Sequence, residues 1–313
     1  MNRPRIIALV GPTAAGKTPL AVELALRLDA EIVSVDSRQV YRHLDVGTAK
    51  PDAETRAAVR HHLLDVVEPD ARLDAARFAT LGHAAISAVL DRGKRVVLCG
   101  GSGLYLRALT EGLCRLPPAD RALRQRLERE AAGGGAGELH RRVQAVDPAA
   151  AARIAPRDTL RLVRALEVRE LTGRPLSDWQ AGHAFSDRPY EMLSFVLSPP
   201  GEVLERRIAG RAAQMWTGGL LEEVERVLAL GFSPELASLR AIGYREAIAH
   251  LAGEMDGASA LAAMVLATRR YAKRQRTWFR RLSGAVWLDG GEESSAARIA
   301  PHACEFLDAA NLS

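Results

Sequence analysis

The chain has 313 residues, of which 48% are hydrophobic, and a formal net charge of +5. That length and composition support a full core in one large or two modest domains and exclude global disorder. No apolar run approaches the roughly 18 residues a membrane span needs, and residues 1–5 lack the layout of a secretory signal. Cys99, Cys114 and Cys304 are too few and too scattered for a disulfide framework or a zinc site, so a reducing cytosol is expected.

The first hundred residues alternate strands with helices. IIALV (6–10) is a mostly β-branched run ending at Gly11, which reads as a buried parallel strand, and the apolar periodicity after Lys17 predicts a helix over 17–28. EIVSV (31–35) is a second strand that ends at Asp36, and HLLDVV (62–67) reads as a third. A helix follows over 74–92 with Gly93 as its stop, then a fourth strand, RVVLC (95–99), that runs into the glycine-rich turn GGSG (100–103). Continuous apolar strands separated by helices imply a parallel sheet covered on both faces, whose ligands sit at the carboxyl ends of the strands.

Past Leu116-Pro117-Pro118 the texture changes. Residues 119–187 are helical in period, interrupted by a flexible GGGAG (133–137), and 158–173 has Asp158 as N-cap and Gly173 as stop. MLSFVL (192–197) restores a strand, and the remainder reads as helical, punctuated at Gly218-Gly219. The expected fold class is therefore α/β: a P-loop NTPase-like parallel sheet flanked by helices, built from 1–116 and 188–313, with an all-helical insertion domain over 117–187.

Four segments carry chemistry. Gly11, Pro12, Thr13, Ala14, Ala15, Gly16, Lys17 and Thr18 fit G-x-x-x-x-G-K-[ST], a turn that aims backbone N–H groups and a helix N-terminus at phosphate oxygens. Lys17 would reach the outer phosphates, and Thr18 would offer its hydroxyl to Mg²⁺. The second segment, Asp36, Ser37, Arg38 and Gln39, lies just past a strand end. There Asp36 is either a Mg²⁺-linked acid, a turn cap, or a carboxylate placed to take a proton, and Gln39 has the amide that pairs with adenine edges. In the third, GGSG with Ser102 is either a second anion-binding turn or a tight packing turn. In the fourth, seven of the thirteen residues over 269–281 are basic, interleaved with Tyr271, Trp278 and Phe279, and no acidic residue lies between Gly257 and Asp289. Such a ridge is a solvated face or, as its density favours, a seat for a polyanion. Arg207, Arg211 and Gln214 share one helical side, where Arg211 is a surface charge or a phosphate clamp.

These residues resemble the bacterial tRNA dimethylallyltransferases. The resemblance rests on GPTAAGKT (11–18), VDSRQVYRHLDVGTAKP (35–51), HHLLDVVEP (61–69) and GGSGLYLRAL (100–109). It continues through DPAAAARI (147–154), RALEV (164–168), RAIGYRE (240–246) and KRQRTWFR (273–280). Ala15 and Ser102 stand where many members have serine and threonine, and residues 125–142 follow the family only loosely. The resemblance implies transfer of a dimethylallyl group from dimethylallyl diphosphate to N6 of adenosine 37 in tRNAs reading codons that begin with U. It makes Asp36, Thr13, Lys17 and Arg211 catalytic, residues 11–18 the diphosphate site, and Thr18 the metal ligand for Mg²⁺. It also places the tRNA anticodon stem-loop against Asp36, Ser37, Arg38, Gln39, Ser102, Arg161, Arg164, Arg240, Gly243, Tyr244 and Arg245. On the basic helix it adds Lys273, Arg274, Gln275, Arg276, Trp278 and Arg280. The protein is expected to be a cytoplasmic monomer with no membrane partner.

Overall fold

The computed structural model describes residues 3–114, 116–134, 136–183, 187–291 and 294–309. Two compact units divide the chain, Met1–Thr110 with Pro189–Ser313, and Glu111–Arg188. The second unit thus starts at Glu111, ahead of the composition change at Leu116, because the last helix of the sheet layer ends at Thr110.

The first unit opens with β1 (Arg5–Val10), α1 (Lys17–Leu28), β2 (Ala30–Val35), α2 (Ala53–Ala58), β3 (His61–His62), α3 (Ala75–Leu90), β4 (Arg95–Gly100) and α4 (Gly103–Thr110). The second unit holds α5 (Arg121–Gly134), α6 (Ala136–Val146), α7 (Pro148–Ala151), α8 (Thr159–Thr172) and α9 (Leu176–His183). The first unit resumes with β5 (Glu191–Leu197), α10 (Gly201–Met215), a kinked turn (Trp216–Leu220) where Gly218 and Gly219 leave helical backbone, α11 (Leu221–Ala229), α12 (Tyr244–Leu251), α13 (Gly257–Phe279), β6 (Val286–Leu288) and α14 (Ala296–Asp308).

The six strands form one parallel sheet in the order β3-β2-β4-β1-β5-β6. Alternation along β1 sends Ile6, Ala8 and Val10 into one apolar layer and Ile7 and Leu9 into the other, so the central strand is buried on both faces. Parallel register brings the exits of β1, β2 and β4 to one edge, which is where Gly11, Asp36 and Gly101 lie. No helix among the described residues is long and apolar enough to cross a membrane.

Three expectations need correction. The strand expected over 62–67 shrinks to His61–His62, since Leu63 and Asp65 take φ of 63° and 56° and break the extended run. The C-terminal region is not wholly helical: β6 adds a three-residue edge strand, too short for a periodic signal. The glycines expected to form a flexible break at 133–137 instead extend helices, α5 running to Gly134 and α6 starting at Ala136, with Gly135 outside the described residues.

The second unit has its own core around Leu127, Leu139, Val143, Leu162 and Leu166. Within it Glu167 is fully buried and accepts from Arg124 Nε (2.8 Å), Arg164 Nη1 (2.5 Å) and the Asp120 N–H (2.8 Å). Burial alone would raise that carboxyl, but the hydrogen bonds from Arg124 and Arg164 outweigh it and hold it below the usual carboxylate range. Arg164 also donates to the Pro117 carbonyl at 2.8 Å, so this residue, expected at the RNA, is committed to the fold of its own unit. Arg161 remains largely exposed beside Asp158.

Candidate active site

The phosphate loop is shaped by backbone demands that a few residue types meet. Gly11 has φ of 151°, and a Cβ there would overlap the Leu197 carbonyl of β5, so only glycine fits. Ala14 (φ 61°) and Gly16 (φ 98°) take left-handed conformations that turn the chain into α1. No side chain caps that helix and its first turn has no acidic residue, so its leading N–H groups face the crevice as a ready anion site. Pro19 falls in that first turn and has no N–H to leave unpaired.

Long side chains hold the loop from inside and outside. Lys17 Nζ donates to the Pro12 carbonyl at 2.8 Å, and Arg207 Nη1 of α10 donates to the Ala15 carbonyl at 2.8 Å. One turn further along α10, Arg211 Nη2 donates to Thr13 Oγ1 at 3.0 Å. With that lone pair engaged, the Thr13 hydroxyl proton is directed away from Arg211 and is available to an acceptor in the crevice. Burial pushes the Lys17 ammonium down to about 8, Arg211 adding to the fall and Cys99 and Asp36 opposing it. Burial likewise holds the Arg211 guanidinium below its ordinary value, with Asp36 opposing. Two of the backbone donors expected to face a ligand are spent inside the protein. The Thr13 N–H donates to Gln275 Oε1 at 2.9 Å and the Ala15 N–H to the Pro12 carbonyl at 3.3 Å. Ala14, Gly16, Lys17 and Thr18 remain.

Asp36 closes a tight turn: its Oδ1 accepts from the N–H groups of Arg38 (2.7 Å) and Gln39 (3.3 Å). These two bonds fix the carboxylate and leave Oδ2 for the crevice. Gln39 is not free to read a base. Its Nε2 donates to the carbonyls of Thr48 (3.3 Å) and Ala49 (3.0 Å), and its Oε1 accepts from Ser34 Oγ (3.2 Å). GGSG is a packing turn. A Cβ at Gly100 would overlap the Val35 carbonyl, one at Gly101 the Gln275 amide, and one at Gly103 the indole of Trp278. Ser102 Oγ accepts from the Ser37 N–H at 2.9 Å and so ties the two strand exits together.

A crevice of about 350 Å³ gathers Thr13, Lys17, Thr18, Asp36, Ser37, Arg38, Arg211, Arg240 and Arg274. Its other wall is apolar, formed by Ile208, Ala212 and Met215 of α10, Met264 of α13, and Ile242. Sequence reasoning missed this wall, although the four-then-three spacing of Ile208, Ala212 and Met215 marks an apolar face on α10. Other expected residues lie elsewhere. Lys273, Arg276 and Arg280 line a separate groove between α10 and α13 with Arg269 and Arg270. Arg245 pairs with Glu246 at 2.6 Å. Tyr244 is fully buried, donating to Glu223 Oε1 at 2.6 Å, and Gly243 precedes it at φ 94° as the N-cap of α12. Buried Glu223 also accepts the N–H groups of Asp45 (2.8 Å), Val46 (2.7 Å) and Gly47 (3.1 Å). Tyr244 is thus part of a buried brace for the 45–47 loop, while buried Gly243 spends its N–H on Glu246 Oε2 at 2.7 Å, and the reading of both as RNA contacts is withdrawn.

The fold and the site define a P-loop-type α/β protein that places an anion site across an apolar-walled crevice from a carboxylate. The profile of the IPP transferase family matches residues 39–282. Among curated relatives, the chain is 49% identical to the tRNA dimethylallyltransferase of Geobacter metallireducens over 92% of this chain and 93% of that one. It is 52% identical to the tRNA dimethylallyltransferase of Anaeromyxobacter dehalogenans, over 91% and 94%. Among solved structures, the full-length tRNA isopentenylpyrophosphate transferase from Bacillus halodurans superposes with a TM-score of 0.72 at 34% identity, covering 99% of both chains. A eukaryotic dimethylallyltransferase described as acting on tRNA matches with a TM-score of 0.80 at 25% identity, over 96% of this chain and 78% of that one. The chain belongs to the IPP transferase family.

Proposed function

We propose that the protein transfers the dimethylallyl group of dimethylallyl diphosphate to N6 of adenosine 37, beside the anticodon, in tRNAs reading codons that begin with U. Diphosphate is the leaving group. The observation that carries this reading is the meeting, in one crevice, of a phosphate loop clamped through Thr13 by Arg211, the carboxylate of Asp36, and an apolar wall. The names borne by the relatives support the same substrate pair.

Breaking the allylic C–O bond develops negative charge on the diphosphate. Lys17, Arg211, the Thr13 hydroxyl and the free loop N–H groups supply fixed positive dipoles where that charge appears. Ile208, Ala212 and Met215 give the isoprenoid an apolar bed that excludes water from the reacting carbon. Asp36 orients the adenine amine and takes its proton. A carboxylate is a weak base toward an amine, so this transfer comes late, after nitrogen has gained positive charge.

The donor set fits Mg²⁺. Thr18 lines the crevice beside the loop, and its hydroxyl is the oxygen donor that would hold the ion there. Held through Thr18, Mg²⁺ would neutralise leaving-group charge.

Arg38, Arg240 and Arg274 at the mouth of the crevice, with Lys273 and Arg276 in the neighbouring groove, would take backbone phosphates of the anticodon stem-loop while the target base leaves its stack. The protein acts on this RNA in the cytoplasm as a monomer. The direct test is incubation with labelled dimethylallyl diphosphate, Mg²⁺ and an anticodon stem-loop containing A36 and A37. Label is expected on the RNA; label on free AMP instead of RNA would overturn the reading.

Replacing Lys273 and Arg276 together by glutamine is expected to weaken tRNA binding and flatten its salt dependence by about 1.4–1.8 units of log Kd per log [salt], the loss of two phosphate contacts. Titration of binding against KCl reads this directly, and an unchanged slope would return these residues to a solvated face.

A further inference from the structure

Gln275 lies near the C-terminal end of α13, amid the basic residues that helix carries, yet its side chain points away from solvent and is buried. Its Oε1 accepts from the Thr13 N–H and its Nε2 donates to the Gly101 carbonyl, both at 2.9 Å. A carbonyl takes only a donor and an N–H only an acceptor, so the amide has one orientation and both of its ends are used. The approach is too close to tolerate a side chain at Gly101: a Cβ there would overlap Gln275 Nε2 and come within 3.3 Å of the Gly11 carbonyl. One amide therefore joins the phosphate loop, the exit of β4 and α13.

We propose that Gln275 is a positioning residue for the transfer reaction, holding Thr13 at the mouth of the phosphate loop in the geometry the leaving diphosphate needs. Thr13 is gripped at two points, its N–H by Gln275 and its Oγ1 by Arg211. With either grip released the residue can rotate, and its hydroxyl no longer aims into the crevice. Gln275 touches no reacting atom and acts through Thr13. The inference rests on the dimethylallyl transfer reading for its kinetic arm and on the loop geometry alone for its binding arm.

The test compares wild type with Gln275→Met and Gln275→Glu. Methionine keeps the length and apolar stem but loses both hydrogen bonds. Glutamate keeps the acceptor for Thr13 while setting a carboxylate oxygen against the Gly101 carbonyl and the diphosphate site. For Gln275→Met, kcat is expected to fall by about tenfold or more while stem-loop Kd stays within about twofold, because small misplacements of a reacting constellation cost large factors. Gln275→Glu is expected to weaken binding of inorganic diphosphate further than Gln275→Met does, in a calorimetric titration without RNA or donor. Thermal melts and circular dichroism establish that each variant is folded at the assay temperature. Wild-type kcat and wild-type diphosphate affinity in Gln275→Met would overturn the proposal, as would a loss of kcat that only tracks a loss of folded protein or of RNA affinity. If the wild-type protein fails to modify the stem-loop, the functional reading falls, and the diphosphate titrations still decide the role of Gln275.

Discussion

Asp36→Asn is expected to lower the transfer rate by about 10²–10⁴-fold, the range a positioned general base contributes, while tRNA affinity stays within a few-fold. Asparagine retains an Oδ1 that can accept from the N–H groups of Arg38 and Gln39, so the turn at 36–39 survives. What it loses is the ability to take the N6 proton. Asp36→Ala removes the turn as well and is expected to fall at least as far. Single-turnover transfer to a stem-loop, with binding measured in parallel, separates the alternatives. If Asp36→Asn turns over normally and only Asp36→Ala is impaired, Asp36 is a turn cap and the proton leaves by another route.

Lys17→Met is expected to reduce kcat/KM for the donor by about 10³-fold, or ~4 kcal/mol, because it deletes a half-buried cation where charge develops. The wild-type protein should also show a characteristic pH response. Burial sets the Lys17 pKa at about 8 in the donor-free protein, and a bound diphosphate raises it. Below that value the ammonium is already present. Above it, each pH unit should weaken donor binding about tenfold until the pKa of the complex is reached, since binding must then draw a proton from solvent. The stability of the donor-free protein should move the other way. Its unfolded state carries the ordinary lysine value of 10.5, so between about 8 and 10.5 the unfolded chain binds more protons and folding becomes more favourable as pH rises. Donor KM measured across this window, beside denaturant melts of the free protein, checks both signs. A donor KM flat through about pH 9.5 would remove Lys17 from the binding step.

These tests converge on a loop held by three cations from two helices. Lys17 closes the loop on itself at Pro12, Arg207 takes the Ala15 carbonyl, and Arg211 takes the Thr13 hydroxyl. Removing Arg207 or Arg211 takes a donor from the Ala15 carbonyl or the Thr13 hydroxyl, whereas without Lys17 the Pro12 carbonyl keeps the Ala15 N–H and the loop loses chiefly its charge.

Local chemistry was legible along the chain. β-branched runs ending in glycine or aspartate mark the strands and their exits, helical periods mark α1, α8, α10 and α13, and the loop at 11–18 declares an anion site, since each is a property of neighbouring residues. Side-chain direction was not legible. Gln39, Tyr244 and Gln275 stand in segments whose residue types suit RNA, yet the amide of Gln39 is spent on Thr48 and Ala49, the hydroxyl of Tyr244 on Glu223, and the amide of Gln275 on Thr13 and Gly101. A polar group buried on folding must find a partner, and these partners lie up to 262 residues away in sequence. The glycines of GGSG follow the same rule: their spacing suggests a phosphate turn, whereas contact with Gln275 and Trp278 is what demands them. Composition and short-range pattern determine which elements form and where an anion can bind. Which polar side chains face that anion, and which instead hold the protein together, is decided only when distant segments pack, because desolvation makes every buried donor and acceptor compete for the same few partners.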